Sequence, residues 1–178
     1  MLLVGKDLYN IVINNNIIDD NNIEETCISL SLGNTSIELN SFDEHVVLTY
    51  GEKIPDKYIT CKQIDDQGIV LKPLTSMLCT SMERINLPLG YFGLLQTKGS
   101  LARFMVSLHF SDGQIDPGFR GNVTFEIFNG SNFYINIKKG QKVGNLYIFN
   151  TSTTIAEPYR GRYCDSNIPT VFRPLTGE

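Results

Sequence analysis

The chain has only two histidines, His45 and His109, and its four cysteines include no Cys-x-x-Cys pair. That leaves no cluster with metal-ligand spacing, so no zinc is expected. Cys27, Cys61, Cys79 and Cys164 read as reduced thiols and not as a disulfide framework. No apolar run approaches the roughly 20 residues needed to cross a bilayer. The opening Met1-Leu2-Leu3-Val4-Gly5-Lys6-Asp7 lacks the basic-then-apolar layout of a secretion signal. A cytoplasmic protein with no membrane partner is the expectation, and the Asn-x-Ser/Thr triplets at Asn34, Asn122, Asn129 and Asn150 then arise by chance. A net charge of −4 gives no general attraction to a nucleic-acid polymer, so an anionic ligand has to be held by local cations. What the chain does have is an ordinary globular balance, 42% hydrophobic and 19% charged over 178 residues, which suits one domain spanning 1-178.

Leu8, Ile11 and Val12 lie three and four residues apart, which predicts a short helix over Lys6 to Ile13. The polar runs Asn14-Asn15-Asn16 and Asp19-Asp20-Asn21-Asn22 read as turns. From Cys27 the period changes to two: Ile28, Leu30 and Leu32 alternate with Ser29, Ser31 and Gly33, the pattern of a half-buried strand. Further strands are expected at Ile69-Leu71, Leu78-Thr80, Val123-Phe128, Phe133-Ile137 and Gly144-Phe149. Turns at Leu87-Pro88-Leu89-Gly90 and Asp116-Pro117-Gly118 punctuate them. Many short strands with one or two helices indicate a mainly β sandwich or barrel.

The chemistry concentrates between Lys98 and Asn129. This stretch opens with Lys-Gly-Ser-Leu-Ala-Arg and closes with Gln-Ile-Asp-Pro-Gly-Phe-Arg-Gly-Asn-Val-Thr-Phe-Glu-Ile-Phe-Asn. A small-residue turn between Lys98 and Arg103 lets backbone N–H groups approach an anion while the cations add charge-assisted bonds. A carboxylate on a rigid strand, Glu126, has the chemistry of a general base. Each piece has a plainer reading as well, a surface turn for Gly99-Ser100 and a simple turn for Asp-Pro-Gly. Strand alternation alone sends Glu126 either to the core, where it would need a partner, or to solvent.

Taken together, the stretch resembles the signature of the dCTP deaminases, Arg-Ser-Ser-Leu-Ala/Gly-Arg followed by Ile-Asp-Pro-Gly-Phe/Trp-x-Gly and a strand ending in Leu-Glu-Leu/Phe-x-Asn. Cys27 to Asn34, Leu87 to Gly93 and the late run Pro158-Tyr159-Arg160-Gly161-Arg162-Tyr163 are similar to other parts of that family in the same order. The resemblance implies a distorted jelly-roll or β-barrel of the dUTPase-like type, assembled as a homotrimer. Its active sites would lie between subunits, with the C-terminal segment 158-178 closing over them. It further implies that Glu126 activates water for attack on C4 of the cytosine of dCTP, and that Arg103 orients that centre and balances its charge. Lys98, Gly99 and Ser100 would hold the triphosphate, which would bring Mg²⁺ with it. Asp116 would face the deoxyribose beside Phe119, and Tyr159, Arg162 and Ser166 would reach the nucleotide from the tail. An aromatic and a cation on a surface segment can equally be packing and solvated charge.

Zinc deaminases, built on His-x-Glu followed by Pro-Cys-x-x-Cys, are excluded by the residues absent above. The related dUTPases usually have Tyr at the position of Phe119, lack the glutamate at 126 and end in a Gly-rich motif; this chain matches none of the three. Some relatives deaminate dCTP and then cleave the dUTP, which keeps a bifunctional reading open. Four positions depart from the family pattern. Gly99 replaces a serine and removes a hydroxyl beside the expected reacting centre. Asp112 adds a carboxylate, which would either perturb Glu126 by like-charge repulsion or fill its pocket. Ser166 stands for a glutamine and Ile168 for a glycine. Removing one such hydrogen-bonding group costs on the order of 10²–10³ in rate, so a catalytically impaired nucleotide-binding homologue is the alternative.

Overall fold

The computed structural model describes residues 1–18, 22–41, 45–110, 112–155 and 157–174. Helix α1 (Gly5–Asn14) forms where the spacing predicts it. Leu8 and Val12 are fully buried, and Ile11 packs against the same core. The Asn15 side chain then donates to the Ile11 carbonyl at 2.9 Å, beside the Asn15 backbone N–H that bonds the same carbonyl at 3.2 Å, and so closes the helix end.

Ten strands follow: β1 (Ile28–Leu39), β2 (Ile59–Gln63), β3 (Ile69–Leu71), β4 (Ser76–Asn86), β5 (Tyr91–Thr97), β6 (Val106–Ser107), β7 (Gln114–Ile115), β8 (Arg120–Asn129), β9 (Ile135–Ile137) and β10 (Lys142–Asn150). A four-residue helix, α2 (Gly99–Ala102), leaves the end of β5. The main sheet runs β6-β8-β4-β1-β10-β5-β7 with β2 also on β1, and β3 pairs with β9 as a separate ribbon. All these pairings are antiparallel. The sheet curls because β1 serves two halves. Ile28 to Ser31 pair with β10, whereas Thr35 to Leu39 pair with β2, and the register slips between Leu30 and Ser31 and between Leu32 and Ser36. The result is the mainly β, jelly-roll-like half-barrel that the sequence predicts.

The expected half-buried character of β1 is not observed. Ser29 and Ser31 are 0% and 4% exposed, so both faces of the strand are covered. Their polar groups are satisfied within that cover: the Ser29 hydroxyl donates to Glu24 at 2.5 Å and the Ser31 N–H to Glu83 Oε2 at 2.8 Å. Asn22, expected only in a turn, donates to Glu83 Oε1 at 3.0 Å; Asp19 to Asn21 lie outside the described residues. Where β4 slips register between Thr80 and Arg84, the Asn122 side chain spans the Ser81, Met82 and Glu83 carbonyls at 3.0, 3.3 and 3.2 Å. Pairing lost at the bulge is thereby recovered by side chains.

Strand β9 is shorter than expected, because Phe133 belongs to the loop before it. Asn129, fully buried, organises that loop: its amide donates to the Leu71, Lys72 and Phe133 carbonyls, and its Oδ1 accepts from the Ser131 N–H and hydroxyl. Beneath the sheet, Leu30, Leu32, Leu71, Leu95, Phe125, Ile127, Leu146 and Ile148 form the centre of the apolar core.

Candidate active site

Strand β8 sorts its residues by parity. Gly121, Val123, Phe125, Ile127 and Asn129 are buried, while Asn122, Thr124, Glu126 and Phe128 are half-buried on the opposite face. The strand period of two therefore answers the question left open by the sequence. Glu126 turns away from the core and lines a cavity of about 850 Å³ together with Asn122 and Thr124. Its backbone is fixed on both sides, opposite Leu78 of β4 and in a parallel bridge with His109.

Asp112, Asp116 and Phe119 reach the same cavity from the segment between β7 and β8 and the turn before it. The Asp-Pro-Gly turn closes with the Phe119 N–H donating to Asp116 O at 3.0 Å. It is tied to the rest of the fold by Gly118 N–H to Leu87 O at 2.8 Å and Leu87 N–H to Phe119 O at 2.9 Å. Asp112 spends Oδ1 on the Gln114 N–H at 3.1 Å, the local bond of an Asx turn.

The C-terminal segment supplies the remaining wall. Tyr159 N–H donates to Pro117 O at 3.0 Å, Asp165 N–H to Arg120 O at 2.5 Å, and Asn122 N–H to Ser166 O at 2.8 Å. Thr170 bonds the Thr124 hydroxyl through both its N–H, at 3.2 Å, and its own hydroxyl, at 3.3 Å. Two glycines make this docking possible. Gly118 (φ +88°) has no room for a Cβ, which would come within 2.7 Å of Pro158. Gly121 (φ +142°) would bring one within 3.0 Å of Ser166 O. Asp165 then accepts from Arg84 at 2.6 Å and Arg120 at 2.8 Å, binding the tail to β4 and β8.

Tyr159 sits across from Phe119 with ring centroids 6.3 Å apart. Burial raises its hydroxyl pKa above the ordinary phenol range, and the negative charge of Asp116 adds to the rise. Arg162 lies over the Phe172 ring at 5.1 Å, and its guanidinium donates to the Arg173 carbonyl, so this cation is held inside the tail. Phe172 in turn meets Tyr50 at 5.4 Å.

Of the residues singled out from sequence, Glu126, Asp112, Asp116, Phe119, Tyr159 and Arg162 thus share one cavity. Ser166 lies beneath it, 9% exposed, with its hydroxyl turned to the Ile168 carbonyl at 2.8 Å. Lys98, Gly99, Ser100 and Arg103 do not line the cavity. They sit at α2, where Arg103 donates to Gly99 O at 2.9 Å and Ser100 borders a separate pocket of about 320 Å³. Sequence reasoning missed Asn122, Thr124, Thr170 and Phe172. The polar parity of β8 carries a signal for the first two; the tail pair becomes visible only once the tail is docked. Among the described residues no group of three or more His, Cys, Asp or Glu side chains is disposed to hold a metal ion.

Known proteins resemble this chain in sequence and in fold. The dCTP deaminase of Desulfurococcus amylolyticus is 28% identical over 144 residues, 81% of this chain and 77% of that protein. The dUMP-forming dCTP deaminase of Corynebacterium glutamicum strain R is 39% identical over 95 residues, 53% of this chain and 50% of that one. In fold, the 2′-deoxycytidine 5′-triphosphate deaminase of Agrobacterium tumefaciens superposes with a TM-score of 0.62 at 17% identity. That match covers 83% of this chain and 47% of the other. Residues 6–151 match the sequence profile described as dCTP deaminase-like, which is most of the chain and includes α1 from its second residue, the Lys98–Arg103 segment and all of β8. This chain belongs to the dCTP deaminase-like family.

Proposed function

We propose that the protein is a cytoplasmic, homotrimeric, zinc-independent hydrolase that converts dCTP and water to dUTP and ammonia, with Glu126 as its general base. The observation that carries this reading is the parity of β8: a carboxylate on a rigid strand faces a cavity walled by Asp116, Phe119 and the docked tail. A volume of about 850 Å³ suits a nucleotide. In the proposed reaction Glu126 takes a proton from a bound water as the oxygen adds to C4 of the cytosine ring. The carboxyl passes that proton to N3, then carries the proton of the new C4 hydroxyl to the exocyclic nitrogen; the C4–N bond breaks, ammonia leaves and a C4 carbonyl beside a protonated N3 remains. Asp116 orients the deoxyribose, with Phe119 and Tyr159 forming the apolar side of the site.

The triphosphate falls to Lys98, Gly99 and Ser100, and charge balance at C4 to Arg103. These residues lie outside the Glu126 cavity of their own chain, which supports a site completed by a neighbouring copy. Exposed Phe104, Met105, Phe110, Phe133 and Tyr134, each at least 62% exposed, offer apolar surface for that association. The tail from residue 158 onward acts as the lid; its last residues, 175–178, lie outside the described structure. Magnesium enters as the counter-ion of the triphosphate, held by phosphate oxygens.

A second reading, deamination followed by cleavage to dUMP, is favoured by the 39% identity to a dUMP-forming relative. Chromatography of products from dCTP and dUTP with Mg²⁺ separates the readings. The primary one expects ammonia and dUTP from dCTP, with at least a 10³-fold loss on Glu126→Gln, as for removal of an essential proton-transfer group. The bifunctional one expects dUMP and pyrophosphate. Binding of dCTP without any product would make the protein a nucleotide-binding homologue instead.

A further inference from the structure

The α2 face carries a charged arrangement that reaches beyond the triphosphate residues named above. Two ammonium groups converge on one carboxylate oxygen: Lys98 Nζ lies 3.7 Å and Lys142 Nζ 3.6 Å from Glu24 Oε1. Ser29, buried in β1, donates to that same oxygen at 2.5 Å and fixes where the carboxylate sits. The two lysines come from distant parts of the sequence but from one stitched surface, since the Lys98 N–H donates to Val143 O at 2.8 Å. Lys142 also lines the pocket of about 320 Å³ that Ser100 borders, together with Gln141 and Asn136.

Charge and geometry make this a loaded anion site. One carboxylate cannot neutralise two cations, and Lys138 and Lys139 in the adjoining turn add to the surplus on a chain whose net charge is −4. The Ser29 hydrogen bond, and then the two lysines, hold the Glu24 carboxyl below the usual carboxylate range, so it is an anion at neutral pH. Both Lys–Glu24 separations are at the long end for ion pairs. Each ammonium has three donors to offer, and an acceptor with more oxygens and more charge would satisfy them better.

We propose that Lys142 is a second polyphosphate-binding lysine, and that Glu24 is an internal stand-in anion which holds Lys98 and Lys142 in position until the triphosphate displaces it. This deepens the functional reading above and rests on it for the identity of the ligand, because Lys98 and Ser100 are its triphosphate residues. The two can nevertheless fail separately.

The test is calorimetric titration of the full chain, Lys142→Gln and Glu24→Gln with three probes: dCTP, dCMP and inorganic tripolyphosphate. Loss of one charged donor should weaken dCTP and tripolyphosphate by about tenfold in Lys142→Gln while leaving dCMP within about twofold. Glu24→Gln should bind tripolyphosphate more tightly, by roughly threefold, because the competing carboxylate is gone. The ratio of dCTP to dCMP affinity is the readout that a purely structural role would not move. Lys142→Gln that binds tripolyphosphate like the unaltered protein, or that loses dCMP as much as dCTP, overturns the proposal. So does Glu24→Gln with weaker binding. Ammonia release with unaffected Lys142→Gln removes Lys142 alone. Tripolyphosphate binding that depends on Lys142 in a protein that never releases ammonia removes the deaminase reading and leaves the anion site standing.

Discussion

Asp165 is the residue whose loss should free the tail without disturbing the sheet. Its carboxylate accepts from Arg84 at 2.6 Å and Arg120 at 2.8 Å, so a single side chain ties residues 157–174 to β4 and β8. It also sits at φ +58°, where alanine would be strained; asparagine tolerates that region and is the better substitution. The three side chains are 42–58% exposed, so solvent screens both pairs. Two such half-exposed pairs sharing a carboxylate are together worth about 1 kcal/mol, not the several expected of a buried pair. That corresponds to roughly a fivefold shift in the balance between docked and open tail. Hydrogen exchange reads it directly: in Asp165→Asn the amides of Asp165 and Thr170, bonded to Arg120 O and the Thr124 hydroxyl, should exchange about fivefold faster. Raising salt to about 1 M, where the Debye length shrinks to about 3 Å, should narrow the difference between the two proteins. Unchanged exchange at Thr170, or equal acceleration at the core amide of Phe125, would refute the latch, the second result because it signals global loss of stability.

Three further outcomes follow from the same structure. Asn129→Ala should lower unfolding free energy by about 2–4 kcal/mol, since it removes a fully buried amide and leaves the buried carbonyl of Leu71 and the partly buried carbonyls of Lys72 and Phe133 without their donor; a change under about 1 kcal/mol in a denaturant titration would contradict the assignment. Burial pushes the Cys79 thiol up to about 12, whereas Cys61 is exposed. A thiol reagent near pH 8 should therefore label Cys61 in the native protein and reach Cys79 only on unfolding, because the thiolate is the reactive form. Asp112→Asn keeps the acceptor for the Gln114 N–H and removes one negative charge from the cavity. It should bind dCTP roughly two- to fivefold more tightly, whereas an equal loss of turnover in Asp112→Asn and Asp112→Ala would place that carboxylate in the chemistry.

The elements that could be read from the sequence are those whose local period matches a one-sided environment. Helix α1 buries Leu8 and Val12 one turn apart, and β8 hides Val123, Phe125 and Ile127 at every second position. Strand β1 was legible as a strand, but not its burial on both faces: its serines are covered as thoroughly as its leucines, their cost met by Glu24 and Glu83 rather than by water. Strand β5 escaped because Tyr-Phe-Gly-Leu-Leu-Gln-Thr has no clean alternation, and β6 and β7 because each is only two residues long. The orientation of Glu126 was undecidable for a related reason. Apolar residues occur on both faces of β8, with Phe125 in the core and Phe128 against Phe110 at 5.2 Å, so hydrophobicity alone could not choose a face.

The motif that is continuous in sequence is divided in space, and the path of the chain explains why. After α2 the chain passes through β6, which pairs with the far end of β8 at Phe128 and Asn129. It then crosses to β5 by way of β7 before returning through the Asp-Pro-Gly turn to start β8. Glu126 is reached only on that return, facing the docked tail, whereas Lys98 stays stitched to the start of β10. Sequence proximity of Lys98, Arg103 and Glu126 therefore does not bring them into one cavity of one copy. Within one chain α2 follows directly on β5, which is paired with β10 from Tyr91 to Thr97, and it lies outside the Glu126 cavity. Under the proposed function a second copy supplies α2 to the cavity, and the exposed Phe104 and Phe133 are available for that contact.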